Sequence, residues 1–361
     1  MLNILHVVGA RPNFPKIAPI MAAMARSPQR FTQRLVHTGQ HYDERMSAIF
    51  FRDLALPQPD IYLGVGSGSH AQQTARIMLA FEEVVLSARP DWVIVVGDVN
   101  STVACTLVCA KLGIKIAHVE AGLRSFDRTM PEEINRLVTD QLADLLFTPS
   151  PEADQQLLRE GIPAERIRFA GNVMIDSLVA ALPLAESRPI LDELGIQPGQ
   201  YGLVTLHRPS NVDDPAAFAG IVGALQTIAH KLPLVFPVHP RSRQRMLDFG
   251  LAVDDSRLKL IEPQGYLDFL QLTRHARLVL TDSGGLQEET SFLGVPCLTL
   301  RPNTERPITV TLGTNTVVGT QPAAIVEHAL DVMRRPMPER PAIPGWDGHA
   351  AERIVAAFGE A

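Results

Sequence analysis

The sequence predicts an α/β protein with two doubly wound parallel sheets, and three observations support this fold class. Short runs rich in Val, Ile and Leu alternate with segments of helical periodicity along the whole chain. Strands that are apolar without a break are buried on both faces, as in parallel sheets covered by helices. The alternation occurs twice in 361 residues, a length that suggests two domains at ~150 residues each.

Each half of the chain contains a series of candidate strands. In the first half they are NILHVVG, LVHTG, WVIVVGD, IKIAHVEAG, LLFTPS and IRFAGN. In the second half they are YGLVTLHR, LVFPVHP, LKLIEP, RLVLTDSGG, PCLTLR and NTVVG. The intervening helical segments include residues 70–89, 214–231 and 322–335. The stretch ESRPILDELGIQPGQYG is rich in Pro and Gly and lies between the two series, so we place the domain boundary within residues 171–200.

Composition and charge exclude several classes of protein. The net charge of −6 gives no basic footprint for nucleic acid or an anionic membrane. No apolar run reaches the ~18 residues of a membrane helix, and the apolar start MLNILHVVGA lacks the basic region and cleavage site of a signal peptide. Cys105, Cys109 and Cys297 are too few for a disulfide framework, and we expect core residues rather than metal ligands. We therefore expect a soluble, cytoplasmic protein without a metal site.

Polar residues stand at the carboxyl ends of most candidate strands. These ends are Gly9-Ala10-Arg11, Gly39-Gln40-His41, Gly97-Asp98, His118-Val119-Glu120, His207-Arg208, His239 and Ser283-Gly284-Gly285. Glycine and polar residues also end strands in ordinary loops. However, open parallel sheets bind ligands outside the carboxyl ends of their strands, and the recurrence of His, Arg and carboxylates favours a ligand. We expect the two polar edges to face each other across an interdomain cleft.

The segment TDSGGLQEE in the second half breaks at Ser283-Gly284-Gly285 between a strand and a helix. Small residues there let the backbone approach a ligand, and the first N–H groups of the helix favour an anion such as a phosphate. Glu288 or Glu289 would then accept hydrogen bonds from ribose hydroxyls, although an acid in the first turn also fits the helix dipole. The chain lacks a dinucleotide fingerprint, a Walker motif and a nucleophile elbow, which argues against a redox dinucleotide.

The segment HVEAGLRSFDRTMPEEINR offers candidate acids and bases. Glu132, Asn135 and Arg136 share one helical face, and the same spacing predicts that Glu133 points elsewhere. Thr129-Met130-Pro131-Glu132 also fits a capping box, in which Glu132 serves the start of the helix. Asp98 and Glu120 stand at strand ends of the same half, so three carboxylates converge in the catalytic interpretation. Proton transfer is the natural use for them, because no Cys or Ser nucleophile is evident.

Six motifs together resemble one known family. GARPNFPKIAPI, GDVNST, HVEAGLRSFDRTMPEEINR, VTLHRPSNVD, TDSGGLQEE and NTERP are similar to motifs of the non-hydrolysing UDP-N-acetylglucosamine 2-epimerases, and the resemblance extends to the closing GHAAERI. It implies a glycosyltransferase-B-type fold of two Rossmann-like domains, residues 1–171 and a UDP-binding domain of residues 172–345. A C-terminal helix of about residues 346–361 would return to the first domain. It also implies a homodimer that interconverts UDP-GlcNAc and UDP-ManNAc, a precursor for surface polysaccharide, without a cofactor.

The resemblance also implies roles for individual residues. Asp98, Glu120 and Glu132 match the family's catalytic carboxylates, and His207 matches the histidine that assists the departing UDP. The substrate-binding shell would be Arg11, Lys16, Arg136, His239, Ser283, Gly284, Gly285, Glu289 and Arg306. Within it, Ser283 and Gly284 would meet the diphosphate and Glu289 the ribose.

Two positions bear on variation within that family. Asn13 stands where many members have an acidic residue, and Gln40-His41 matches a pair near which a second UDP-GlcNAc activates bacterial members. The residues that follow, YDERM, do not clearly match the regulated enzymes. Four other functions remain open from sequence. They are a 2-epimerase of a UDP-2,3-diacetamido-uronate, a hydrolysing epimerase, a glycosyltransferase of the same fold and a non-catalytic nucleotide-sugar sensor.

Overall fold

The computed structural model describes residues 1–40, 52–54, 56–251, 253 and 256–359. The chain divides into two compact units. The first contains Met1–Ala180 and Pro344–Ala361, and the second contains Ala181–Ile343. The helix Val173–Glu186 includes the point where the first unit gives way to the second.

The first unit is built on one parallel sheet. Its seven strands are β1 (Leu2–Val8), β2 (Phe31–His37), β3 (Ile61–Tyr62), β4 (Trp92–Val96), β5 (Lys115–Val119), β6 (Leu145–Thr148) and β7 (Ile167–Phe169). They lie in the order β3-β2-β1-β4-β5-β6-β7, and all described pairs are parallel. Its helices are α1 (Phe14–Ala25), α2 (His70–Ala88), α3 (Asn100–Leu112), α4 (Pro131–Leu142), α5 (Pro151–Arg159), α6 (Val173–Glu186) and, near the C-terminus, α15 (Ala350–Ala357). Short 3-10 turns span Arg11–Asn13 and Ala164–Arg166.

The second unit repeats the design with six parallel strands. They are β8 (Gly202–Thr205), β9 (Leu234–Pro237), β10 (Leu258–Ile261), β11 (Leu278–Thr281), β12 (Cys297–Thr299) and β13 (Asn315–Val317), in the order β10-β9-β8-β11-β12-β13. The helices are α7 (Ile190–Leu194), α8 (Pro209–Val212), α9 (Pro215–Ala229), α10 (Pro240–Asp248), α11 (Tyr266–Arg274), α12 (Gly284–Leu293), α13 (Ile308–Thr311) and α14 (Pro322–Arg334). In both sheets the strand order reverses beside the first strand, which makes each sheet doubly wound.

The prediction of two doubly wound α/β domains is confirmed. Each of the predicted strand runs coincides with a strand, because central strands such as Trp92–Val96 are buried along their whole length and therefore read as continuous apolar segments. The sequence did not reveal β3, which pairs with β2 through only two residues, Ile61 and Tyr62. A strand of two residues is too short to show a periodicity.

The C-terminal segment belongs to the core of the first unit. Ile354 and Phe358 are buried in the same cluster as residues of α1 and β4, and the Phe358 ring contacts Trp92 edge-on with centroids 5.3 Å apart. The Asp176 carboxylate accepts hydrogen bonds from the N–H groups of Ala350 and Ala351 at 3.1 and 2.7 Å. These are the first two residues of α15, so Asp176 satisfies backbone donors that a helix start leaves unpaired. No helix within the described ranges has the length and apolar character needed to cross a bilayer.

Candidate active site

The carboxyl ends of β1, β4 and β5 lie side by side in the first unit. Asn13 links the first two, because its Oδ1 accepts the N–H groups of Gly9 and Ala10 at 3.0 and 3.1 Å. Its Nδ2 donates to the Val96 carbonyl at 3.1 Å. An aspartate or glutamate would lack that donor, so the amide at this position fits a backbone contact that an acid cannot make.

Glu120 follows β5 and forms a buried ion pair. Lys16 Nζ lies 2.8 Å from Oε1 and 2.7 Å from Oε2 of Glu120. Glu120 has φ +72°, a left-handed conformation that costs a non-glycine residue ~1 kcal/mol or more. Gly97 lies close to the lysine, and a Cβ added at position 97 would stand 2.8 Å from Lys16 Nζ. The site therefore holds Lys16 and Glu120 in one narrow arrangement next to Asp98.

Asp98 is held by the guanidinium of Arg136. Nε and Nη2 lie 3.1 and 2.6 Å from Oδ2 of Asp98, and the Asn135 amide donates to the Asp98 carbonyl at 2.8 Å. Arg136 Nη1 donates to Glu133 at 2.6 Å. Glu133 is buried and also accepts the N–H groups of Ser125 and Phe126, both at 2.9 Å.

The prediction that Glu133 points away from this network is therefore wrong. Glu133 and Arg136 are three residues apart on α4, a spacing that brings side chains together. The capping-box interpretation of Thr129 and Glu132 is also wrong, because the helix cap is Met130 and no side chain caps it. Thr129 bonds instead to Asp127. Glu132 is thus available for another role.

Glu132 and Asp98 line one cavity of about 260 Å³. The other lining residues are Gln40, Ser67, Gly68, His70, Gln73, Val99, Asn100, Pro131 and Asn135. Gln40 is buried, and its Oε1 accepts from Ser101 N at 3.0 Å and Ser101 Oγ at 2.7 Å. His41, the second member of the predicted pair, lies outside the described residues.

A buried network of charged side chains contacts the backbone of Gly97, the residue before Asp98. His118 and Asp140 are fully buried, with Nδ1 and Oδ1 2.6 Å apart, and the other ring nitrogen lies 2.9 Å from the Gly97 carbonyl. Arg124 bridges Asp140 at 2.7 Å and Glu160 at 2.6 Å. Burial alone would raise the pKa of Asp140, but His118 and then Arg124 outweigh burial and lower it. The network fixes Gly97, and with it the turn that carries Asp98.

His207 and Asp282 form the corresponding pair in the second unit. Thr205 and Thr281 are opposite each other in the β8–β11 pairing, so His207 and Asp282 leave the sheet at one edge. His207 Nδ1 lies 3.0 Å from Asp282 Oδ1. His239 caps α10, with its Nδ1 accepting from Arg241 N at 3.3 Å, and its ring centroid is 6.4 Å from that of His207.

The break at Ser283-Gly284-Gly285 opens α12, with Ser283 at the N-cap. A Cβ on Gly284 would stand 2.5 Å from Arg306 Nη1 and 2.7 Å from Glu305 Oε1. Arg306 pairs with Glu305 at 2.6 Å and with Glu288 at 3.1 Å. Glycine at position 284 therefore admits the Arg306 guanidinium beside the start of the helix.

Glu289 differs from Glu288 in its surroundings. Glu288 pairs with Arg306, whereas Glu289 accepts a long hydrogen bond of 3.3 Å from the Tyr266 hydroxyl. Burial raises the pKa of Glu289 to about 7, and the neighbouring Glu288 adds to the rise. Of the two acids that the sequence offered for a polar ligand, Glu289 is the one not committed to Arg306.

Arg11 and Gly285 are the remaining predicted residues, and both lie in the first turn of an element that follows a strand. Arg11 opens the 3-10 turn after β1, and Gly285 is the second residue of α12. Sequence reasoning missed Glu133, Asp282 and Glu305 as partners of predicted site residues. Asp282 carried a usable signal, because an acid that ends a buried strand must find hydrogen-bond donors.

Comparisons with known proteins identify the family of this chain. A family model described as UDP-N-acetylglucosamine 2-epimerase matches residues 23–359. A UDP-N-acetylglucosamine 2-epimerase homolog of Methanococcus maripaludis is 47% identical over 91% of both chains. A UDP-2,3-diacetamido-2,3-dideoxy-D-glucuronate 2-epimerase of Pseudomonas aeruginosa is 42% identical over 98% of both chains. The crystal structure of Methanocaldococcus jannaschii UDP-GlcNAc 2-epimerase with UDP-GlcNAc and UDP has a TM-score of 0.92 and 40% identity, with each chain covered completely. The chain therefore belongs to the UDP-N-acetylglucosamine 2-epimerase family.

Proposed function

We propose that the protein interconverts UDP-GlcNAc and UDP-ManNAc by non-hydrolytic epimerisation at C2. The observation that carries this proposal is the grouping of Asp98 and Glu132 on one cavity, with the Lys16–Glu120 pair at the neighbouring strand end. A family that acts on UDP-sugars and a set of fixed carboxylates together fit proton transfer on a nucleotide sugar. The product would supply ManNAc-type units for surface polysaccharide.

The chemistry explains why several carboxylates are needed. The C2 hydrogen of the sugar is not acidic, because no carbonyl group stands next to C2. In an elimination, the C1–O bond to UDP breaks while a base removes the C2 proton, which gives 2-acetamidoglucal and UDP. Proton delivery to the opposite face of C2 and re-addition of UDP at C1 give the epimer. One group must accept a proton and another must donate one.

The first unit would carry out the proton transfers. Asp98 and Glu120 each face a cation, Arg136 at 2.6 Å and Lys16 at 2.7 Å. Each ion pair holds its carboxylate in a fixed position, which general acid–base catalysis requires of a group that exchanges protons with the substrate. Glu132 lines the same cavity as Asp98 and completes the set of groups that exchange protons with C2. Arg11 and Arg136 would contribute charge to the substrate shell.

The second unit would hold UDP. The start of α12 at Ser283, Gly284 and Gly285 suits the diphosphate, because helix N–H groups favour anions, and Arg306 lies beside it. Glu289 would accept hydrogen bonds from the ribose. His207 would assist departure of UDP, and His239 would belong to the substrate-binding shell. Donors aimed at the developing charge each contribute ~3 kcal/mol in comparable sites.

Proton NMR of the protein with UDP-GlcNAc in deuterated buffer tests the proposal. We expect deuterium to enter C2 as the UDP-ManNAc signals grow. UDP-GlcNAc that stays unchanged and protonated at C2 would refute it, and release of free ManNAc with UDP would identify a hydrolysing enzyme. Transfer of sugar to an acceptor without exchange at C2 would identify a glycosyltransferase.

A uronate substrate is the second candidate, and one observation favours it. The Pseudomonas aeruginosa relative named for a UDP-diacetamido-glucuronate is 42% identical to this chain, which is close to the 40% of the UDP-GlcNAc 2-epimerase structure. Parallel assays with UDP-GlcNAc and with a UDP-2,3-diacetamido-uronate separate the two. The substrate with the higher kcat/KM identifies the specificity.

We further propose that the enzyme is a cytoplasmic homodimer and that a second UDP-GlcNAc activates it near Gln40 and His41. Gln40 lines the cavity that contains Asp98, so a ligand there would lie close to the carboxylates. Sedimentation velocity tests the dimer. Initial rates that are hyperbolic in UDP-GlcNAc, without a lag and with one binding site per chain, would contradict the activation.

A further inference from the structure

The Asp282 carboxylate is a buried anion with an unusual concentration of donors. It is fully buried at the end of β11. It accepts the N–H of His207 at 3.0 Å, the N–H of Arg208 at 2.9 Å and the Asn211 amide at 3.2 Å. Burial alone would raise the pKa of Asp282, but the contacts with His207 and the backbone donors outweigh burial and lower it. The group is therefore a carboxylate that only accepts hydrogen bonds.

The same carboxylate reaches the ring of His207. Asp282 Oδ1 lies 3.0 Å from Nδ1 of His207, and a carboxylate at that distance favours a proton on Nδ1 over a bare nitrogen lone pair. The residue is held at two points, its backbone N–H and its ring, by one buried side chain. Two attachments fix the direction of the ring as well as the tautomer. The side chain of His207 is 47% exposed, which leaves Nε2 as the nitrogen that meets other molecules.

We propose that Asp282 is a positioning residue that fixes His207 as the Nδ1–H tautomer and reserves Nε2 for the departing UDP. The first part concerns the chain alone, and the second rests on the proposed function. With Nδ1 protonated and bound to Asp282, Nε2 gives a hydrogen bond to the diphosphate when the ring is charged and takes a proton when it is neutral. An isolated histidine would divide its population between tautomers and rotamers.

A purely structural role for Asp282 makes different predictions. Its contacts with the backbone of residues 207–208 would hold the loop after β8 whatever the ring does. Asp282→Asn keeps an oxygen acceptor for those backbone donors but adds an N–H group that donates to Nδ1. That change would favour the Nε2–H tautomer of His207, as the matching substitution does in serine protease triads. A structural role would leave the tautomer unchanged.

Asn211→Ala is the matched control. Asn211 donates to the same carboxylate and to the Leu300 carbonyl at 2.9 Å. Asn211→Ala removes one hydrogen-bond donor from Asp282 and leaves the carboxylate, its backbone donors and its contact with the His207 ring in place. We expect Asn211→Ala to be less stable than the parent protein. Its His207 tautomer and its kcat should equal those of the parent protein.

The experiment is nitrogen-15 NMR of histidine-labelled protein, with the His207 signals assigned by their loss in His207→Gln. We expect Nδ1–H in the parent protein, Nε2–H in Asp282→Asn, and Nδ1–H in Asn211→Ala. In turnover assays, Asp282→Asn should lower kcat by ~100-fold or more, with KM changed far less. An Nε2–H tautomer in the parent protein, or equal loss of kcat in both variants, would overturn the proposal.

The spectra do not depend on turnover. If the parent protein shows Nδ1–H but does not epimerise UDP-GlcNAc, the positioning by Asp282 stands and the proposed reaction fails. If the protein epimerises but His207 is Nε2–H, the reaction stands and the positioning by Asp282 fails. Should Asp282→Asn not fold, the tautomer of the parent protein alone decides.

Discussion

Replacing Glu289 by glutamine should stabilise the unliganded protein, and the gain should depend on pH. Burial raises the pKa of Glu289 from 4.5 to about 7. One pKa unit corresponds to ~1.4 kcal/mol, so the ionised carboxylate costs the folded state about 3 kcal/mol. The raised pKa means that the folded state binds the proton more tightly. The free energy of unfolding is therefore unaffected by Glu289 below about pH 4.5. It falls as the pH rises from about 4.5 to about 7, where Glu289 ionises in the folded state.

Thermal unfolding from pH 5 to pH 9 measures this effect. At pH 8 we expect Glu289→Gln to unfold roughly 6–12 °C higher than the parent protein, since 1 kcal/mol corresponds to ~2–4 °C in a unit of this size. The difference should shrink toward pH 5. Glu262→Gln is the matched control, because Glu262 is 79% exposed and its loss should change little at any pH. A variant that is less stable at pH 8, or a gain that does not vary with pH, would refute the reasoning.

The ionisation of Glu289 should also make UDP binding depend on pH. Ribose hydroxyls that donate to Glu289 favour its anion, so binding near pH 6 should release a proton. Calorimetry in buffers of different ionisation enthalpy measures that release, and Glu289→Gln should abolish it while weakening UDP affinity. Stabilising the empty protein at the expense of affinity is the expected compromise at a binding site.

Three further predictions concern other side chains of the site. Lys16→Met should lower the free energy of unfolding in urea by ~3–5 kcal/mol, because it strands a buried Glu120 carboxylate, and Lys16→Met with Glu120→Gln should recover much of the loss. Gly284→Ala should weaken UDP binding ~10-fold or more in calorimetry, because its Cβ would stand 2.5 Å from Arg306. Asp98→Asn should keep UDP affinity within ~3-fold but lower epimerisation by ~100-fold or more.

Each of these predictions has an outcome that contradicts it. A double variant no more stable than Lys16→Met would show that the ion pair does not limit stability there. Gly223→Ala controls for the added methyl group, because a Cβ at Gly223 meets nothing within 4 Å and should leave UDP affinity unchanged. Near-native turnover of Asp98→Asn would remove Asp98 from the chemistry.

The sequence predicted the fold well because both sheets are parallel and covered by helices. Strands such as Leu278–Thr281 are buried at every position, so their apolar runs are continuous and the breaks after them are easy to see. The predicted site residues stand at those breaks for the same reason. Residues 70–89, read as one helix from periodicity, form α2 at His70–Ala88, with Ser69 as the cap that the sequence rules favour.

The partners of those residues could not be predicted. His207 and Asp282 are 75 positions apart, and Lys16 and Glu120 are 104 apart, so no local pattern joins them. Helical spacing predicts the wrong direction for the Glu133 side chain, although its partner Arg136 is only three residues away. Helical spacing gives the face of a side chain only approximately, and a buried guanidinium between Asp98 and Glu133 draws both carboxylates toward itself.

The two units share one way of holding a functional side chain in place. In each, a polar side chain at a strand end is held by a charged partner that is itself buried, Asp282 for His207 and Arg136 for Asp98. Removing one member of such a pair costs more than the pair contributes, because the other charge is left buried and unpaired. Substitutions of the buried partners should therefore damage stability and activity together. Replacing the half-exposed His207 should damage activity more than stability, because Asp282 keeps the backbone donors of the loop and the Asn211 amide. That contrast, measured across both units, distinguishes residues that react from residues that hold them in place.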